Sequence, residues 1–361
     1  MKIIAIETAL VAIPLKRPFI TALRRVDAVR DVLVRVRTED MEGFGEAPPT
    51  AVITGDTLGS ILCAVHDYIR PALVGMDLAD FPAIMEKLDA CLVHNNSAKA
   101  AVDMALYDLL GKSRGKPLYR LLGCARARLE TDLTLSLRDP ETMATDARAA
   151  VAEGFRSLKI KVGVEPAVDL ARVKAVRRAA GADVALRVDA NQGWDADSAI
   201  ATIRAMEDAG LNLELVEQPV PSWDFEGMAR VTRAVDTPIL ADESVFSPRD
   251  AQRLLDMGGC DLVNIKLMKA CGLHGAVQIA DLARSHGVEV LMGCMLESKV
   301  AVSAAAHFAA GCDVVTRCDL DGPSLCAEDP YEGGPLFEGP RITMTEAPGL
   351  GITALPALSW E

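Results

Sequence analysis

The chain has 361 residues and a mass of 38.5 kDa; half of its residues are hydrophobic, a quarter are charged and 4% are aromatic. This aliphatic content and this length exclude collagen-like, disordered and small disulfide-stapled classes. The formal net charge of −13 argues against nucleic acid or an anionic membrane as a general partner. A small anionic substrate stays open, because a bound metal ion can invert the local field.

The cysteine pattern bears on the cellular compartment. Nine cysteines are scattered between Cys63 and Cys326 without a C-x-x-C pair, which predicts buried thiols in a reduced compartment rather than disulfides or a zinc site. The N-terminal segment lacks the features of a signal peptide, and no run reaches the roughly 18 apolar residues of a membrane span. We therefore expect a soluble cytoplasmic protein.

The first 125 residues predict a small α+β domain. Apolar and polar residues alternate near the start of the chain on both sides of a turn at residues 40–43, which predicts an antiparallel meander. From residue 57 to residue 122 the apolar spacing becomes helical, and residues 97–110 predict an Ala-rich helix.

Eight short apolar segments follow at intervals of roughly 25 residues and predict parallel strands. They are residues 133–137, 157–162, 184–189, 213–217, 239–242, 262–266, 288–292 and 314–319. Helical stretches such as 166–180 and 197–209 separate them, which favours a (β/α)8 barrel short by as much as one helix. A doubly wound sheet is the rival, but no G-x-G-x-x-G follows a strand. We predict a barrel at 126–325 and a capping domain at 1–125 that the tail 326–361 completes.

Charged residues end five consecutive predicted strands. They are Lys159 and Lys161, which lie two residues apart and so share one face of their strand, then Asp189, Glu217, Asp242 and Lys266. In a parallel barrel these strand ends meet at the C-terminal rim, where such enzymes hold their active sites. A single carboxylate there is usually a helix cap, but a whole buried set is costly unless it is paired or metal-bound. Three carboxylates on successive strands suit Mg²⁺.

The positions of the lysines suggest a reaction. Lys161 and Lys266 end the second and sixth strands, which lie across the barrel from each other. A substrate carboxylate on Mg²⁺ would present its α-carbon between them, and the metal would stabilise the enediolate that forms on proton removal. We expect Mg²⁺ and Lys159 to lower the pKa of the base. One lysine on each face predicts 1,1-proton transfer, which is racemisation or epimerisation.

These residues resemble the enolase superfamily, and within it the muconate-lactonizing subgroup, over essentially the whole chain. The resemblance implies one Mg²⁺ per subunit, often a homo-oligomer, and one of several reactions. The open alternatives are muconate cycloisomerase, o-succinylbenzoate synthase, N-succinylamino acid racemase and dipeptide epimerase. The pair Asp319-x-Asp321 after the eighth strand resembles the dipeptide epimerase signature, in which two carboxylates hold the α-ammonium of the dipeptide.

Two segments near the N-terminus, 18–25 and 46–55, resemble those of Ala-Glu epimerases. The resemblance implies that Arg24 pairs with the acidic side chain of the substrate, although a surface arginine is the simpler interpretation. We expect a Mg²⁺-dependent dipeptide epimerase that acts on the α-carbon of the C-terminal residue, with L-Ala-D/L-Glu as substrate and a role in cell-wall peptide metabolism. Thr134 and Glu297 are further candidates for the substrate pocket; Glu297 could instead orient Lys266 or serve the fold.

Several other polar residues are weaker candidates for a role in the active site. Asn191, Glu214 and Glu243 are expected near the rim as supports for the lysines or the metal ligands, whereas the five histidines fall away from the predicted strand ends. A noncatalytic barrel whose cap serves as a binding module is the alternative outside enzymology.

Overall fold

The computed structural model describes residues 1–123 and 126–361. Its N-terminal part is an antiparallel sheet of β1 (Ala5–Ile20), β2 (Arg25–Arg37) and β3 (Glu42–Ala47), paired in that order. The meander is therefore confirmed. The helices that cover this sheet are α1 (Leu58–Cys63), α2 (Arg70–Leu73), α3 (Phe81–Ala90), α4 (Asn96–Ser113) and α5 (Leu118–Leu122), with a π-helical segment at Ala64–Ile69 and a 3₁₀ turn at Leu78–Asp80.

Helix α4, predicted at 97–110, lies directly on β3. The strand contributes Gly43 and Gly45, where a Cβ atom would collide with the carbonyl oxygens of Ala105 and Ala101 in the helix. The absence of side chains at these two positions allows the backbone of the helix to approach the sheet closely. Most of α4 is buried as a result.

Eight parallel strands form the second part, and all of them overlap the predicted segments. They are β5 (Leu133–Leu135), β6 (Ser157–Lys161), β7 (Ala185–Asp189), β8 (Leu215–Glu217), β9 (Ile239–Ala241), β10 (Leu262–Ile265), β11 (Glu289–Gly293) and β12 (Val315–Asp319). The helices are α6 (Pro140–Ala152), α7 (Pro166–Ala180), α8 (Ala196–Asp208), α9 (Phe225–Ala234), α10 (Pro248–Asp256), α11 (Leu273–Ser285), α12 (Lys299–Gly311) and α13 (Gly322–Leu325). The (β/α)8 fold with a short final helix is confirmed, and the doubly wound alternative is wrong.

The first and last barrel strands meet at a seam. Backbone ladders join neighbouring strands in the order β12 to β5, and across the described residues no ladder joins β12 back to β5. The backbone N–H of Asp132, just before β5, instead donates to Cys318 O in β12 at 3.3 Å. On the far side of the barrel, four leucines of β8 to β11 form a separate apolar cluster, namely Leu215, Leu240, Leu262 and Leu291.

The C-terminal tail returns to both parts of the molecule. Its strands are β13 (Glu332–Gly333), β14 (Leu336–Glu338), β15 (Arg341–Thr343) and β16 (Ile352–Ala354), and β15 pairs with β4 (Arg128–Glu130). Thr8 and Glu361 exchange two backbone hydrogen bonds of 3.0 Å, which attaches the chain end to β1. The end of the tail thus contacts the N-terminal sheet.

The residues that the structure describes contain neither a membrane-spanning helix nor a disulfide. None of their helices is both long enough and apolar enough to cross a membrane. All eight of their cysteines are free thiols, in line with the predicted lack of disulfides; Cys124 lies outside the described residues.

Candidate active site

A buried network of lysines and carboxylates occupies the carboxyl ends of the barrel strands. Lys159 Nζ lies at its centre, 2.7 Å from Asp319 Oδ2, 2.8 Å from Glu217 Oε2 and 3.1 Å from Asp189 Oδ2. These residues come from β6, β7, β8 and β12, so parallel strands that are far apart in the chain meet at one rim.

The other two predicted lysines each contact one of the acids. Lys161 Nζ is 2.6 Å from Asp189 Oδ2, and Lys266 Nζ is 2.6 Å from Asp242 Oδ2. Lys161 ends β6 and Lys266 follows β10, four strands further round the barrel. The two ammonium groups therefore approach the cluster of acids from opposite sides.

The charges of this network act strongly on one another. Burial raises the pKa of Glu217 to about 7, and the Asp189 carboxylate adds to the effect. Burial disfavours the charged form of Lys266, but the Asp242 carboxylate outweighs it and raises the pKa above the usual range of lysine. The lowering of a lysine pKa by Mg²⁺ and Lys159 stays a prediction, because the ammonium of Lys266 here pairs directly with Asp242, an acid that would hold the metal ion.

The three acids Asp189, Glu217 and Asp242 are the ones predicted to hold a metal ion. In the part of the chain that is described, no three His, Cys, Asp or Glu side chains form a ready-made metal cluster, because lysine ammonium groups lie between the carboxylates. The donors nevertheless fit a divalent cation. Three buried oxygens around them, Asn191 Oδ1, Glu243 Oε2 and Asn264 Oδ1, have no hydrogen-bond partner among residues 1–123 and 126–361, and oxygen donors suit Mg²⁺.

The turns after β7 and β8 are unusual in conformation. Asn191, Gln192 and Gln218 have positive φ angles of 43°, 68° and 36°, which is uncommon for residues other than glycine and often marks a functional site. Gln218 Oε1 accepts hydrogen bonds from the backbone N–H groups of Asp242 and Ser244, at 2.9 and 3.1 Å. This contact orients the loop that carries Asp242.

Asp321 and Thr134 meet at the seam of the barrel. The backbone N–H of Thr134 donates to Asp321 Oδ2 at 2.7 Å. Burial and the nearby Asp319 carboxylate raise the pKa of Asp321 to about 6. The structure thus brings Asp319, Asp321 and Thr134 together beside Lys159.

Arg24 and Glu297 lie outside this network of ion pairs. Arg24 is partly buried in the turn between β1 and β2, and no acidic side chain of the described residues forms an ion pair with it. Burial lowers its pKa, and the charge of Asp31 opposes that change. Glu297 is buried after β11, where its Oε1 accepts from Met295 N at 2.7 Å. Burial raises the pKa of Glu297 to about 8, which favours the neutral acid.

Of the three supporting residues expected at the rim, two lie there and one does not. Asn191 Nδ2 contacts Asp189 Oδ2 and Glu243 Oε1, both at 3.3 Å. Glu214 precedes β8, so it lies at the opposite end of the barrel, 2.7 Å from Arg187 Nε. The prediction for Glu214 was wrong because β8 begins only at Leu215.

Sequence reasoning missed several buried groups that contact the predicted acids. Lys269 Nζ is 2.7 Å from Asp242 Oδ1 and also donates to the Asp242 carbonyl oxygen. Asn264 Nδ2 donates to Glu217 Oε1 at 2.9 Å. The available signal was the position of Asn264, which lies two residues before Lys266 and so shares its face of the strand.

Two family models match this chain. The description "Mandelate racemase / muconate lactonizing enzyme, N-terminal domain" matches residues 3–123, and "Enolase C-terminal domain-like" matches residues 142–357. The chain belongs to the enolase superfamily. The resemblance inferred from the strand-end residues is confirmed.

Curated relatives within the enolase superfamily are similar over their whole length. An L-Ala-D/L-Glu epimerase of Clostridium acetobutylicum is 50% identical, with 95% of this chain and 96% of the relative covered. The L-Ala-D/L-Glu epimerase of Bacillus subtilis is also 50% identical, with 100% and 99% covered. The chain is accordingly an isomerase of the epimerase and racemase type, and the noncatalytic alternative is wrong.

Solved structures of this superfamily match the fold closely. A substrate-liganded complex of the Bacillus subtilis epimerase superposes with a TM-score of 0.98 over 99% of this chain and 100% of that one. A dipeptide epimerase from Enterococcus faecalis, complexed with Mg and the dipeptide L-Leu-L-Tyr, is 40% identical and gives a TM-score of 0.95 over 98% and 100%.

Proposed function

We propose that this protein is a Mg²⁺-dependent dipeptide epimerase that inverts the α-carbon of the C-terminal residue, with L-Ala-D/L-Glu as its substrate. One observation carries the proposal: Lys161 and Lys266 flank the cluster of acids from strands on opposite sides of the barrel. The 50% identity to two L-Ala-D/L-Glu epimerases supports the choice of substrate.

Asp189, Glu217 and Asp242 would hold one Mg²⁺ per subunit. When bound, the metal ion supplies Lewis-acid stabilisation of negative charge on the substrate carboxylate. The dipeptide epimerase from Enterococcus faecalis that is complexed with Mg supports this assignment. Lys159, which contacts two of these acids, adds a positive charge beside the same carboxylate.

The two remaining lysines move the proton. Lys161 removes the α-hydrogen from one face of the α-carbon as general base, and the ammonium of Lys266 delivers a proton to the other face. For the opposite epimer the two residues exchange roles. Each must be neutral to act as base, and the pairing of Lys266 with Asp242, which raises the pKa of the lysine, opposes that neutral form.

Selection of the substrate falls to residues around this centre. We assign the grip on the α-ammonium to Asp319 and Asp321, with Thr134 fixing the latter through its backbone N–H. Arg24, a partly buried cation that has no ion pair among the described residues, would pair with the acidic side chain of the dipeptide. Glu297 would line the pocket as a neutral acid.

A substrate panel tests the proposal. The purified protein is incubated in D₂O with Mg²⁺ and each of L-Ala-L-Glu, L-Ala-L-Leu, L-Ala-L-Lys and an N-succinyl amino acid, and the α-proton signals are followed by NMR. We expect deuterium at the second residue of L-Ala-L-Glu together with formation of the D epimer. Faster exchange with the N-succinyl compound would favour a racemase instead, and no exchange with any dipeptide would contradict the proposal.

The domain bounds, the assembly and the cellular location of the protein stay predictions. We propose a capping domain of residues 1–125 with 326–361 and a barrel of 126–325, a homo-oligomeric assembly, and a cytoplasmic location. The eight free cysteines of the described residues support the last of these.

A further inference from the structure

The floor of the barrel below the active site is divided into two halves. Four leucines fill the half under β8 to β11. The half under the seam holds buried charges instead, with Asp132 entirely buried and Arg187 5% exposed. Charged side chains in a barrel interior are costly unless fully paired, so their presence under the seam calls for a reason.

Arg187 joins the two strands that no ladder connects. It lies on β7 two residues before Asp189, so its side chain lies on the inner face, one layer below the predicted metal ligands. Its Nη1 donates to Asp132 Oδ2 at 2.8 Å, before β5, and to Cys318 O at 3.0 Å, in β12. Glu214 Oε2 holds its Nε at 2.7 Å.

The carboxylates assigned to the substrate ammonium depend on the same seam. Asp319 directly follows Cys318, the residue whose carbonyl oxygen accepts from Arg187. Asp321 reaches across to Thr134 N, two residues after Asp132, at 2.7 Å. A shift of β12 relative to β5 would therefore move both carboxylates away from Lys159 and Thr134.

We propose that Arg187 and Asp132 are positioning residues for substrate recognition: they hold the last barrel strand against the first so that Asp319 and Asp321 converge on the ammonium of the dipeptide. This inference rests on the proposed epimerase function. Arg187 does not touch the substrate; it sets the geometry of groups that do.

The test compares three variants. Arg187→Met removes the bridge, and Arg187→Lys keeps a positive charge but loses the planar guanidinium that contacts three partners at once. Leu262→Ala is the matched control, because it removes packing from the apolar half of the same floor. A polar cavity of about 310 Å³ borders Asp132, Arg187 and Glu214, so water can solvate the two acids when the guanidinium is absent, which favours folding of Arg187→Met.

The readout is the division of the kinetic effect between KM and kcat. We expect Arg187→Met to raise KM for L-Ala-L-Glu by between about 10- and 100-fold while kcat changes by less than about threefold. Arg187→Lys recovers part of the loss, and Leu262→Ala lowers Tm without raising KM. An equal rise in KM in Leu262→Ala, or an unchanged KM in Arg187→Met, would overturn the proposal.

A second measurement does not depend on activity. We expect crystal structures to show the Thr134 N to Asp321 Oδ2 contact, 2.7 Å in the wild type, broken in Arg187→Met and kept in Leu262→Ala. An intact contact in Arg187→Met overturns the positioning role even if the wild-type protein epimerises no dipeptide. A wild-type protein that epimerises no dipeptide would overturn the proposed function, whatever the state of this contact.

Discussion

At the scale of single residues, the proposed epimerisation needs two bases that act on opposite faces of one carbon. Replacing Lys161 or Lys266 by Ala removes one of them, and we expect epimerisation to fall by about 10²- to 10⁴-fold. The lysine that remains still faces one epimer, so each variant exchanges the α-hydrogen of one epimer of L-Ala-Glu with D₂O. The two variants act on opposite epimers, which NMR of each pure epimer can establish.

Exposed Lys87 on α3 provides the control for this pair. Lys87→Ala should epimerise at the wild-type rate, since it removes an exposed lysine of α3 that is not among the buried lysines and carboxylates of the active site. If both active-site variants exchange the same epimer, the assignment of one lysine to each face is wrong.

The role proposed for Arg24 predicts which dipeptide the enzyme prefers. Arg24→Met removes the cation assigned to the acidic side chain, and the loss of one charge-assisted contact lowers kcat/KM for L-Ala-L-Glu by roughly 10- to 100-fold. The kcat/KM for L-Ala-L-Met should not fall. The neighbouring Arg25, exposed and 3.1 Å from Asp27, is the matched control, and Arg25→Met should change neither value. Equal losses on both dipeptides in Arg24→Met would remove Arg24 from the specificity site.

The meeting of the candidate residues at the barrel rim could be predicted where charge and strand alternation coincide, whereas their roles stay proposals. Lys159, Lys161 and the acids at strand ends were found because buried charge at the end of an apolar strand has few explanations. Arg187 was missed because its proposed positioning role depends on the seam between β5 and β12. This seam brings together residues that are far apart in the chain. The direction of the lysine pKa shifts likewise depends on the distances between lysine and carboxylate groups of different strands, which no local sequence pattern reveals.

At the scale of elements, His307 on α12 connects three segments. The backbone N–H of Tyr119, in α5, donates to its Nδ1 at 3.1 Å, and its Nε2 is 3.2 Å from the carbonyl oxygen of Leu350 in the tail. Nδ1 is therefore an acceptor and Nε2 carries the proton, which describes a neutral imidazole. Burial lowers the pKa of His307 to about 4.

This buried histidine predicts a loss of stability in acid. The folded pKa lies below the unfolded value of about 6.5, so the unfolded chain binds more protons as the pH falls between these two values. We expect the free energy of unfolding to drop by up to about 3 kcal/mol from pH 7 to pH 4 through this group alone. His307→Gln keeps a donor and an acceptor but does not titrate. Denaturation at both pH values should show a smaller drop for this variant, and an equal drop would exclude His307 as the cause.

The bounds of the elements were largely predictable. Helix α7 begins and ends where the pattern at 166–180 placed it, because Pro at the first turn and Gly181 after the last are strong signals. The pairing of β15 with β4 could not be predicted. It joins three-residue strands more than 200 residues apart, and segments this short carry no usable periodicity.

At the scale of the whole molecule, the proposed function places the substrate between the two parts. The cap carries Arg24 between β1 and β2, and the barrel carries the lysines and acids at its rim. The net charge of −13 does not oppose an anionic dipeptide, because the charges that matter are Arg24 and the lysines of the buried network. In the proposed function the chemistry belongs to the barrel motifs, which local patterns reveal, and the choice of dipeptide belongs to Arg24 in the cap.

A crystal structure of the protein with Mg²⁺ and L-Ala-L-Glu would show directly whether Lys161 and Lys266 face opposite sides of the α-carbon. The account predicts the α-carbon of the glutamate between Lys161 and Lys266, with each Nζ within about 3.5 Å on opposite faces. It also predicts the ammonium on Asp319 and Asp321 and the glutamate side chain toward Arg24. A dipeptide bound with both lysines on one face of that carbon, or with its ammonium at Asp189, Glu217 and Asp242, would contradict the account.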